Sequence, residues 1–345
     1  MAKRKRKRKR GRRSGRRRDR DRLWLRVGAV VLTLLVALVW AWIGPDVREW
    51  TGLEAAGPPA RDPGSLRVVS WNLANFRGRE SGHDLDRIRA VVDALDPDVI
   101  AVQEIKDRDA LAALLPGWEL VLSDKGGRGH QLLGVAYRPE RVELLASAEH
   151  PELSLGGRVR PAVSAHLRAR GGEVAGPDLW LVVVHLKAMP DSVALRREQW
   201  QELRALATAL GSDPAHPDDD LLIVGDFNTT GPPGSGAAGP GIEQADLAGV
   251  LTEAGLRRLS NATGCTAYYD GARRDAWKEP SEIDLVWARG LAESLDPEAQ
   301  VHAGTHSVAS RCEAMRSTEA YPVRDYESVS DHCPVVVDLR RGDDD

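Results

Sequence analysis

Residues 221–228 read Leu-Leu-Ile-Val-Gly-Asp-Phe-Asn, a short apolar run that leads directly into an acid and an amide. Such a run, bounded by turn residues, predicts a buried strand. Asp226 and Asn228 are two positions apart, so in an extended segment they share one face. Taken alone, an Asp after a strand is also typical of a turn, where its side chain caps the backbone.

Four other predicted strands carry polar side chains at one end in the same way. Asn72 follows Val68–Trp71, Glu104 follows Val99–Gln103, His185 follows Leu181–Val184, and Ser330-Asp331-His332 precedes Cys333–Leu339. Side chains at strand ends meet at a rim where loops build active sites on a rigid scaffold. Any single one of these residues is explained by a turn, but the combination predicts a catalytic site.

The chain around these motifs alternates short apolar strands with a few long helices. Residues 84–95 place apolar side chains on one helical stripe, and residues 192–210 predict a longer helix. Many strands with few helices predict two packed sheets with helices outside, an α/β sandwich.

The motifs resemble those of the endonuclease/exonuclease/phosphatase superfamily. The matching stretches are Ser-Trp-Asn72, Val-Gln-Glu104, Val-His185-Leu-Lys187, Gly-Asp226-Phe-Asn228, Ile-Asp284 and Ser-Asp331-His332, in that order along residues 66–339. The resemblance implies a four-layered α/β sandwich, two packed mixed β-sheets flanked by helices. It also implies a metal-dependent phosphodiesterase over residues 65–341.

Site roles are carried over from the resemblance position by position. His332 is the expected general base, with Asp284 holding its other ring nitrogen. Hard oxygen ligands suit Mg²⁺, so Asn72, Glu104 and Asp331 are the expected metal ligands, with Mn²⁺ or Ca²⁺ as alternative ions. The remaining expectations are that Asp226 and Asn228 orient the nucleophile and contact phosphate, that His185 assists as acid or phosphate ligand, and that Arg160 and Lys187 bind phosphate.

The N-terminus has a different character. Residues 1–26 hold 16 Lys and Arg against 2 acidic residues, whereas the rest of the chain holds 32 basic and 49 acidic residues, a net −17. Residues 23–43 form an apolar run with Trp24, Trp40 and Trp42 near its two ends. Its length and aromatic ends predict one transmembrane helix. A buried core helix and a cleaved signal peptide are the alternatives.

Positive charge beside an apolar span marks the cytoplasmic side. The sequence therefore predicts a basic cytoplasmic tail (residues 1–22), a single membrane span (residues 23–43), a Pro- and Gly-containing linker (residues 44–64) and an extracytoplasmic catalytic domain (residues 65–341). An oxidising location permits a disulfide. Cys333 opens an apolar run, which leaves Cys265 and Cys312 as the natural pair, although spacing does not establish connectivity.

Fold and site do not name the phosphodiester. The helix after His185, with its Arg196-Arg197-Glu198-Gln199 stretch, resembles nuclease-like members, which favours DNA or RNA as substrate. A phospholipid or sphingomyelin headgroup is the alternative, because the anchor would hold the site near a bilayer. A catalytically inert binding module is the third interpretation, and the complete set of polar residues disfavours it. The predicted partners are the phosphodiester substrate and the membrane, and the sequence identifies no protein partner.

Overall fold

A computed structural model describes residues 30–33, 61, 65–170, 178–212, 219–231, 239–269, 277–291, 300–303, 310–316 and 323–340. The chain divides into two compact units, Met1–Glu54 and Ala55–Asp345. In the first unit only residues 30–33 are described, and they are helical. Within the described ranges, no helix has both the length and the apolar character needed to cross a membrane. The predicted tail, most of the predicted span and nearly all of the predicted linker lie outside the described residues.

The second unit contains five α-helices within its described part. These are α1 (Leu85–Leu95), α2 (Arg108–Leu114), α3 (Val193–Leu210), α4 (Gly239–Leu251) and α5 (Val323–Ser328). The predicted helices at residues 84–95 and 192–210 are confirmed as α1 and α3. Asp84 caps α1, because its side chain accepts a hydrogen bond from the backbone N–H of Arg87.

The strands of this unit are β1 (Ser65–Phe76), β2 (Val99–Ile105), β3 (Glu119–Leu122), β4 (Leu132–Tyr137), β5 (Val142–His150), β6 (Ala162–Ala169), β7 (Asp178–His185), β8 (Leu221–Asp226), β9 (Arg257–Arg258), β10 (Ser260–Asn261), β11 (Ala267–Tyr269), β12 (Trp277–Ser281), β13 (Asp284–Arg289), β14 (Gln300–Ala303), β15 (Met315–Arg316) and β16 (Val335–Arg340). They form a sheet of order β10-β14-β16-β1-β2-β4-β3, a sheet of order β5-β6-β7-β8-β13-β9, and a small sheet β11-β12-β15. Both large sheets are mixed, since β1 and β2 are parallel, as are β7 and β8, while most other neighbours are antiparallel.

The two large sheets pack face to face, with helices on their outer faces. Val68 and Val99 of the first sheet share one buried cluster with Val183 and Val224 of the second. The next residues along the strands point the other way, as the twofold period of a strand requires. Those of the first sheet pack on α1 and α2, and those of the second pack on α3 and α4. The predicted fold class, two packed mixed sheets flanked by helices, is confirmed.

The sheet topology brings the predicted site residues to one edge. Parallel strands end on the same side, so β1 and β2 bring Asn72 and Glu104 together, and His185 of β7 lies opposite Asp226 of β8. The antiparallel strand β13 begins at that edge, with Asp284 opposite Asp226. The small sheet joins the same edge, because Ala267 of β11 bridges to His332.

Candidate active site

Asn72 lies at the centre of the cluster. Its side chain is fully buried, and its Nδ2 lies 3.4 Å from Glu104 Oε1, 3.2 Å from Asp226 Oδ2 and 3.4 Å from His332 Nε2. Its Oδ1 accepts the N–H of Ala74, and its backbone carbonyl accepts the hydroxyl of Ser330. One amide thus contacts residues from both large sheets and from the Ser-Asp-His segment.

Backbone strain accumulates around Glu104. Glu104 has a φ of 61°, and Ala74 and Asn75 have φ values of 46° and 59°. Non-glycine residues in this region cost on the order of 1–3 kcal/mol each, and such residues concentrate at functional sites. The conformation lets the N–H of Asn75 donate to Glu104 Oε2 at 2.8 Å, while Oε1 faces the centre of the cluster. The strained backbone therefore aims the Glu104 carboxylate.

Asp226 and His185 form the second-sheet side of the cluster. His185 Nε2 lies 3.3 Å from Asp226 Oδ2 and 3.6 Å from Glu104 Oε1, and its Nδ1 has no hydrogen-bond partner within the described residues. Burial first, and then the charges of Arg160, His332 and Lys187, hold the pKa of His185 well below its usual value. His185 is therefore a neutral imidazole between two carboxylates. The N–H of Asn228 fixes the other oxygen of Asp226, at 2.8 Å.

His332 and Asp284 form a buried imidazole–carboxylate pair. His332 Nδ1 lies 2.9 Å and 3.1 Å from the two carboxylate oxygens of Asp284. Burial alone would lower the pKa of His332, but the charges of Asp284, Asp331 and Asp226 and the hydrogen bond to Asp284 raise it well above its usual value. The free nitrogen Nε2 points toward Asn72 and Asp226, as the expected base requires.

Asp226 is itself perturbed. Burial is the main cause that raises its pKa to about 7; the His332 charge opposes the rise, whereas the charges of Asp284 and Glu104 add to it. Three carboxylates thus crowd one water-poor space, and their mutual repulsion favours a proton or a cation there.

Oxygen donors for a divalent cation are present at this point. Glu104 Oε1 is one such donor, and Mg²⁺ commonly uses only one or two protein carboxylates while keeping several waters. Asn72 turns Nδ2 toward Glu104 and would add an oxygen through Oδ1, which accepts the N–H of Ala74. Among the described residues, no group of three or more His, Cys, Asp and Glu side chains has the arrangement of a metal site. Oxygen ligands of this kind suit Mg²⁺ better than Zn²⁺, which prefers Cys and His.

The third expected metal ligand, Asp331, lies beside His332. Asp331 is half-exposed, and its Oδ1 lies 4.0 Å from His332 Nε2. That nitrogen lies 3.4 Å from Asn72 Nδ2, so Asp331 stands at the rim of the same cluster. Its role as a metal ligand stays a prediction.

Arg160 has a different set of contacts from the expected phosphate ligand. Its Nε donates to the carbonyl of His185 and its Nη2 to the carbonyl of Leu186, at 2.9 Å and 2.5 Å. Its Nη1 donates to Gln131 Oε1, and Gln131 in turn donates to Asn75. Arg160 is 9% exposed and braces the end of β7, and three of its five N–H donors are used by these contacts. Lys187 is less constrained, because the one hydrogen bond of its Nζ within the described residues goes to the neighbouring carbonyl of Ala188.

Several supporting residues outside the motifs were missed by the sequence analysis. Thr266 Oγ1 accepts the N–H groups of Ile283 and Asp284. Gln131 and Asn75 link the loops around Glu104 and Arg160. None of these three stands in a recognisable motif, since each contacts a partner remote in sequence. Trp71, which belongs to the Ser-Trp-Asn72 motif, supports the site as well, because its Nε1 donates to the carbonyl of His332.

The predicted cysteine pair is confirmed. Cys265 and Cys312 form a disulfide, and Cys333 is a buried thiol. The disulfide lies next to Thr266, and it packs with Tyr268, Met315 and Tyr326 beneath the small sheet.

Several known proteins resemble this chain in sequence or in fold. The chain is 24% identical over 139 residues to a 5'-tyrosyl-DNA phosphodiesterase of Caenorhabditis briggsae, a match that covers 39% of this chain and 37% of that relative, so the chain spans little more than a third of its length. The fold is similar to that of D. rerio TDP2 complexed with single strand DNA product, with a TM-score of 0.54, 16% identity, and coverage of 81% of this chain and 99% of that one. It is also similar to a mannosyl-6-phosphatase of Bacteroides thetaiotaomicron, with a TM-score of 0.53, 18% identity, and coverage of 80% and 99%. At these identities the structural likeness shows the fold alone.

The sequence profile of one family matches residues 69–332, a stretch that runs from β1 to the imidazole of His332 and contains every motif described above. The chain therefore belongs to the Endonuclease/Exonuclease/phosphatase family.

Proposed function

We propose that the protein is a divalent-metal-dependent phosphodiesterase whose substrate is nucleic acid. The observation that carries the proposal is the convergence of Glu104, Asp226 and the Nε2 of an Asp284-oriented histidine on the amide of Asn72. Phosphodiester hydrolysis needs a base for water and positive charge for the phosphate oxygens and the leaving alkoxide. This cluster supplies the base and an oxygen site for a cation within one buried edge.

His332 Nε2 takes the proton of the attacking water in this mechanism, starting from the neutral imidazole that a cation bound nearby would favour over the imidazolium. Asp284 holds Nδ1, which fixes the tautomer and stabilises the imidazolium that forms. The Asn72 amide, whose Nδ2 lies 3.4 Å from the same nitrogen, would orient the water. Asp226 and Asn228 lie beside it and position the nucleophile against the phosphate.

Glu104 and Asn72 would hold the cation, which stabilises negative charge on the phosphate and on the leaving oxygen. Asp331 would contribute through a bound water from its place beside His332. His185 is neutral, so it donates a hydrogen bond from Nε2 instead of acting as a charged acid. Lys187 Nζ is the cation best placed to reach a phosphate, and Arg160 holds the strand end that carries His185.

Exposed aromatic side chains beside the site favour nucleic acid. Tyr269 and Trp277 are 54% and 46% exposed. Tyr269 lies opposite Glu279 and Trp277 two positions from it, so both aromatic side chains project from one face of the β11–β12 ribbon. Ala267, on the same face, bridges to His332. Aromatic faces stack on unpaired bases with about 1–3 kcal/mol per base, without sequence preference.

The second candidate substrate is a phospholipid or sphingomyelin headgroup, because fold and site do not name the phosphodiester. The exposed aromatic side chains of Tyr269 and Trp277 are the observation that favours nucleic acid over it.

For the location of the protein we propose a single membrane span at residues 23–43, with residues 1–22 in the cytoplasm and the catalytic unit outside it. The apolar run and its basic flank support the span and its orientation. The Cys265–Cys312 disulfide supports an oxidising compartment, because cytosolic thiols are kept reduced.

A substrate panel tests the proposed function. The full chain, purified in detergent, is assayed with Mg²⁺ or Mn²⁺ on single-stranded DNA, plasmid DNA, RNA, sphingomyelin vesicles and a small chromogenic diester. Metal-dependent cleavage of nucleic acid that is lost in His332→Gln is the expected result. Glu140→Gln is the control, since Glu140 is exposed on the β4–β5 turn at the far edge. Turnover of sphingomyelin without cleavage of nucleic acid would overturn the substrate, and silence on all five with metal still bound would favour an inert binding module.

A further inference from the structure

A fully buried ion pair lies beneath the two loops that leave the site. Arg196 on α3 and Glu243 on α4 have no exposed side-chain surface. Arg196 Nε donates to Glu243 Oε1 at 2.5 Å, and Nη2 donates to Oε2 at 2.9 Å. Burying two charges costs several kcal/mol per ion, and apolar residues of similar volume often serve stability as well or better. Stability alone therefore gives a weak account of this pair.

Arg196 holds the loop that follows β7. Its Nη1 donates to the carbonyl of Lys187 at 2.8 Å and to that of Met189 at 2.7 Å. Gln199, one helical turn later on α3 and also buried, accepts the N–H of Lys187. Three polar groups of this short loop are thus bound from a single helix.

Met189 shows that the loop is held under constraint. Its φ and ψ are 81° and 140°, a conformation that side-chain-bearing residues rarely adopt. Such a residue persists only where its surroundings over-determine it. The Arg196 bond to the Met189 carbonyl is one such determinant, and the loop it fixes begins two residues after His185.

Glu243 holds the loop that follows β8. Its Oε2 accepts the N–H of Gly231 at 2.6 Å in addition to the Arg196 bond. Gly231 has a φ of 83°, and a side chain there would collide with the backbone of Gly239. The loop between Asp226 and Gly231 carries Asn228, so Glu243 fixes its far end.

We propose that Arg196 and Glu243 are positioning residues that lock the β7–α3 and β8–α4 loops to each other, which sets Lys187 and His185 against Asp226 and Asn228. The assignment rests on the proposed function for its catalytic consequence, but the locking of the loops is a property of the fold. Since the two loops are joined through one ion pair, displacement of either charged side chain is expected to shift both loops.

A second arginine–carboxylate pair provides a control. Arg67 on β1 donates from Nε and Nη2 to Asp338 on β16, both at 2.7 Å, and from Nη1 to the Leu95 carbonyl. The Arg67 side chain is buried like that of Arg196, whereas Asp338 is 29% exposed. Arg67 lies toward the start of β1, away from Asn72, and the partners described here lie outside residues 186–191 and 227–231.

The test compares the double variants Arg196→Met with Glu243→Leu, and Arg67→Met with Asp338→Leu, in the full chain. Amide hydrogen exchange is followed in peptides over residues 186–191 and 227–231, and kcat and KM are measured on a small chromogenic diester. The first variant is expected to stay folded, because the apolar pair packs in place of the ions. Its melting temperature is expected to fall, because the Gly231 N–H and the Lys187 and Met189 carbonyls lose their partners. Its two loop peptides exchange faster, and kcat falls about 100-fold, as expected when groups move by about 1 Å, while KM changes less than about threefold.

The control variant is expected to keep wild-type exchange in both loop peptides and wild-type kcat, whatever its stability. Unchanged loop exchange in a folded Arg196–Glu243 variant would overturn the proposal, as would an equal fall of kcat in the control. A wild-type protein that cleaves no diester would refute the proposed function, and the exchange measurement would then decide the loop assignment by itself.

Discussion

Thr266 is a buried side chain outside every motif, and its replacement offers a sharp test of how the site is held. Its Oγ1 accepts the N–H of Ile283 at 3.1 Å and the N–H of Asp284 at 3.0 Å, and its carbonyl accepts the N–H of Cys333 at 2.7 Å. It therefore contacts the segments on both sides of the Asp284–His332 pair. Thr266→Val keeps the shape of the side chain and removes the acceptor.

The structure sets the size of the effect. Thr266 is fully buried, so both N–H groups would be left without water or protein partners. Each unsatisfied buried donor costs about 1–3 kcal/mol, which gives a loss of about 2–6 kcal/mol in the free energy of unfolding. Thr266→Ser retains the hydroxyl and removes one methyl group, with an expected loss of about 1 kcal/mol.

Urea denaturation and steady-state kinetics on the same two variants complete the experiment. Thr266→Val is expected to lower kcat about 100-fold through displacement of Asp284, with KM little changed, and Thr266→Ser is expected to recover most of it. Equal stability and equal kcat in the two variants would refute the role given to the hydroxyl.

Three further predictions follow from particular contacts. Reduction of the Cys265–Cys312 disulfide, whose cysteines are 47 positions apart, is expected to lower the free energy of unfolding by about 4 kcal/mol and to reduce kcat, while the buried thiol of Cys333 stays unreactive. Complete reduction is checked by thiol titration, and an unchanged kcat after it would contradict this prediction. In EDTA, the free energy of unfolding should fall as pH rises from about 4 to about 7, because Asp226 has a pKa of about 7 in the folded protein instead of 3.8 and keeps a proton that the unfolded chain has released. The loss amounts to at most about 4 kcal/mol, and His332, whose pKa is also raised, adds a further loss above pH 6.5. Asp226→Asn should flatten this pH dependence. Arg160→Met should destabilise the fold and lower kcat through loss of its bonds to the His185 and Leu186 carbonyls, whereas Lys187→Met should mainly raise KM; the reverse pattern would return Arg160 to the role of phosphate ligand.

The strand-end pattern was enough to predict the edge at which the site forms. A polar residue that interrupts a buried apolar run has no packing purpose, and parallel strands deliver their carboxyl ends to one place. Asn72, Glu104, His185, Asp226, Asp284 and His332 are accordingly brought together. The layers were predictable from hydrophobic periodicity, since the spacing of apolar residues in a strand or helix indicates which of its faces is buried.

Other features had no local signal in the sequence. Arg196 and Gln199 stand in a polar run that is typical of a solvated helix face, yet both side chains are buried. Their partners, Glu243 and Leu153, are more than 40 positions away, so nothing in the local sequence indicates the burial. Arg160 carries the charge of a phosphate ligand, and its bonds to the carbonyls of His185 and Leu186 could not be foreseen, because only the folded chain brings those groups together. The positive φ of Glu104 is likewise a product of tertiary packing, because its own residue type disfavours that conformation.

The central claim is that Glu104 holds the cation that phosphodiester cleavage requires. The measurement that tests it most directly is the Mg²⁺ dependence of kcat on a small diester, for the wild type, Glu104→Gln and the exposed-site control Glu140→Gln. Saturable activation by Mg²⁺ and abolition by EDTA are expected for the wild type and the control. Activity in Glu104→Gln is expected to be at least about 100-fold lower at any Mg²⁺ concentration. Cleavage that survives EDTA, or a Glu104→Gln variant with the wild-type Mg²⁺ dependence, would show that Glu104 does not hold a required cation.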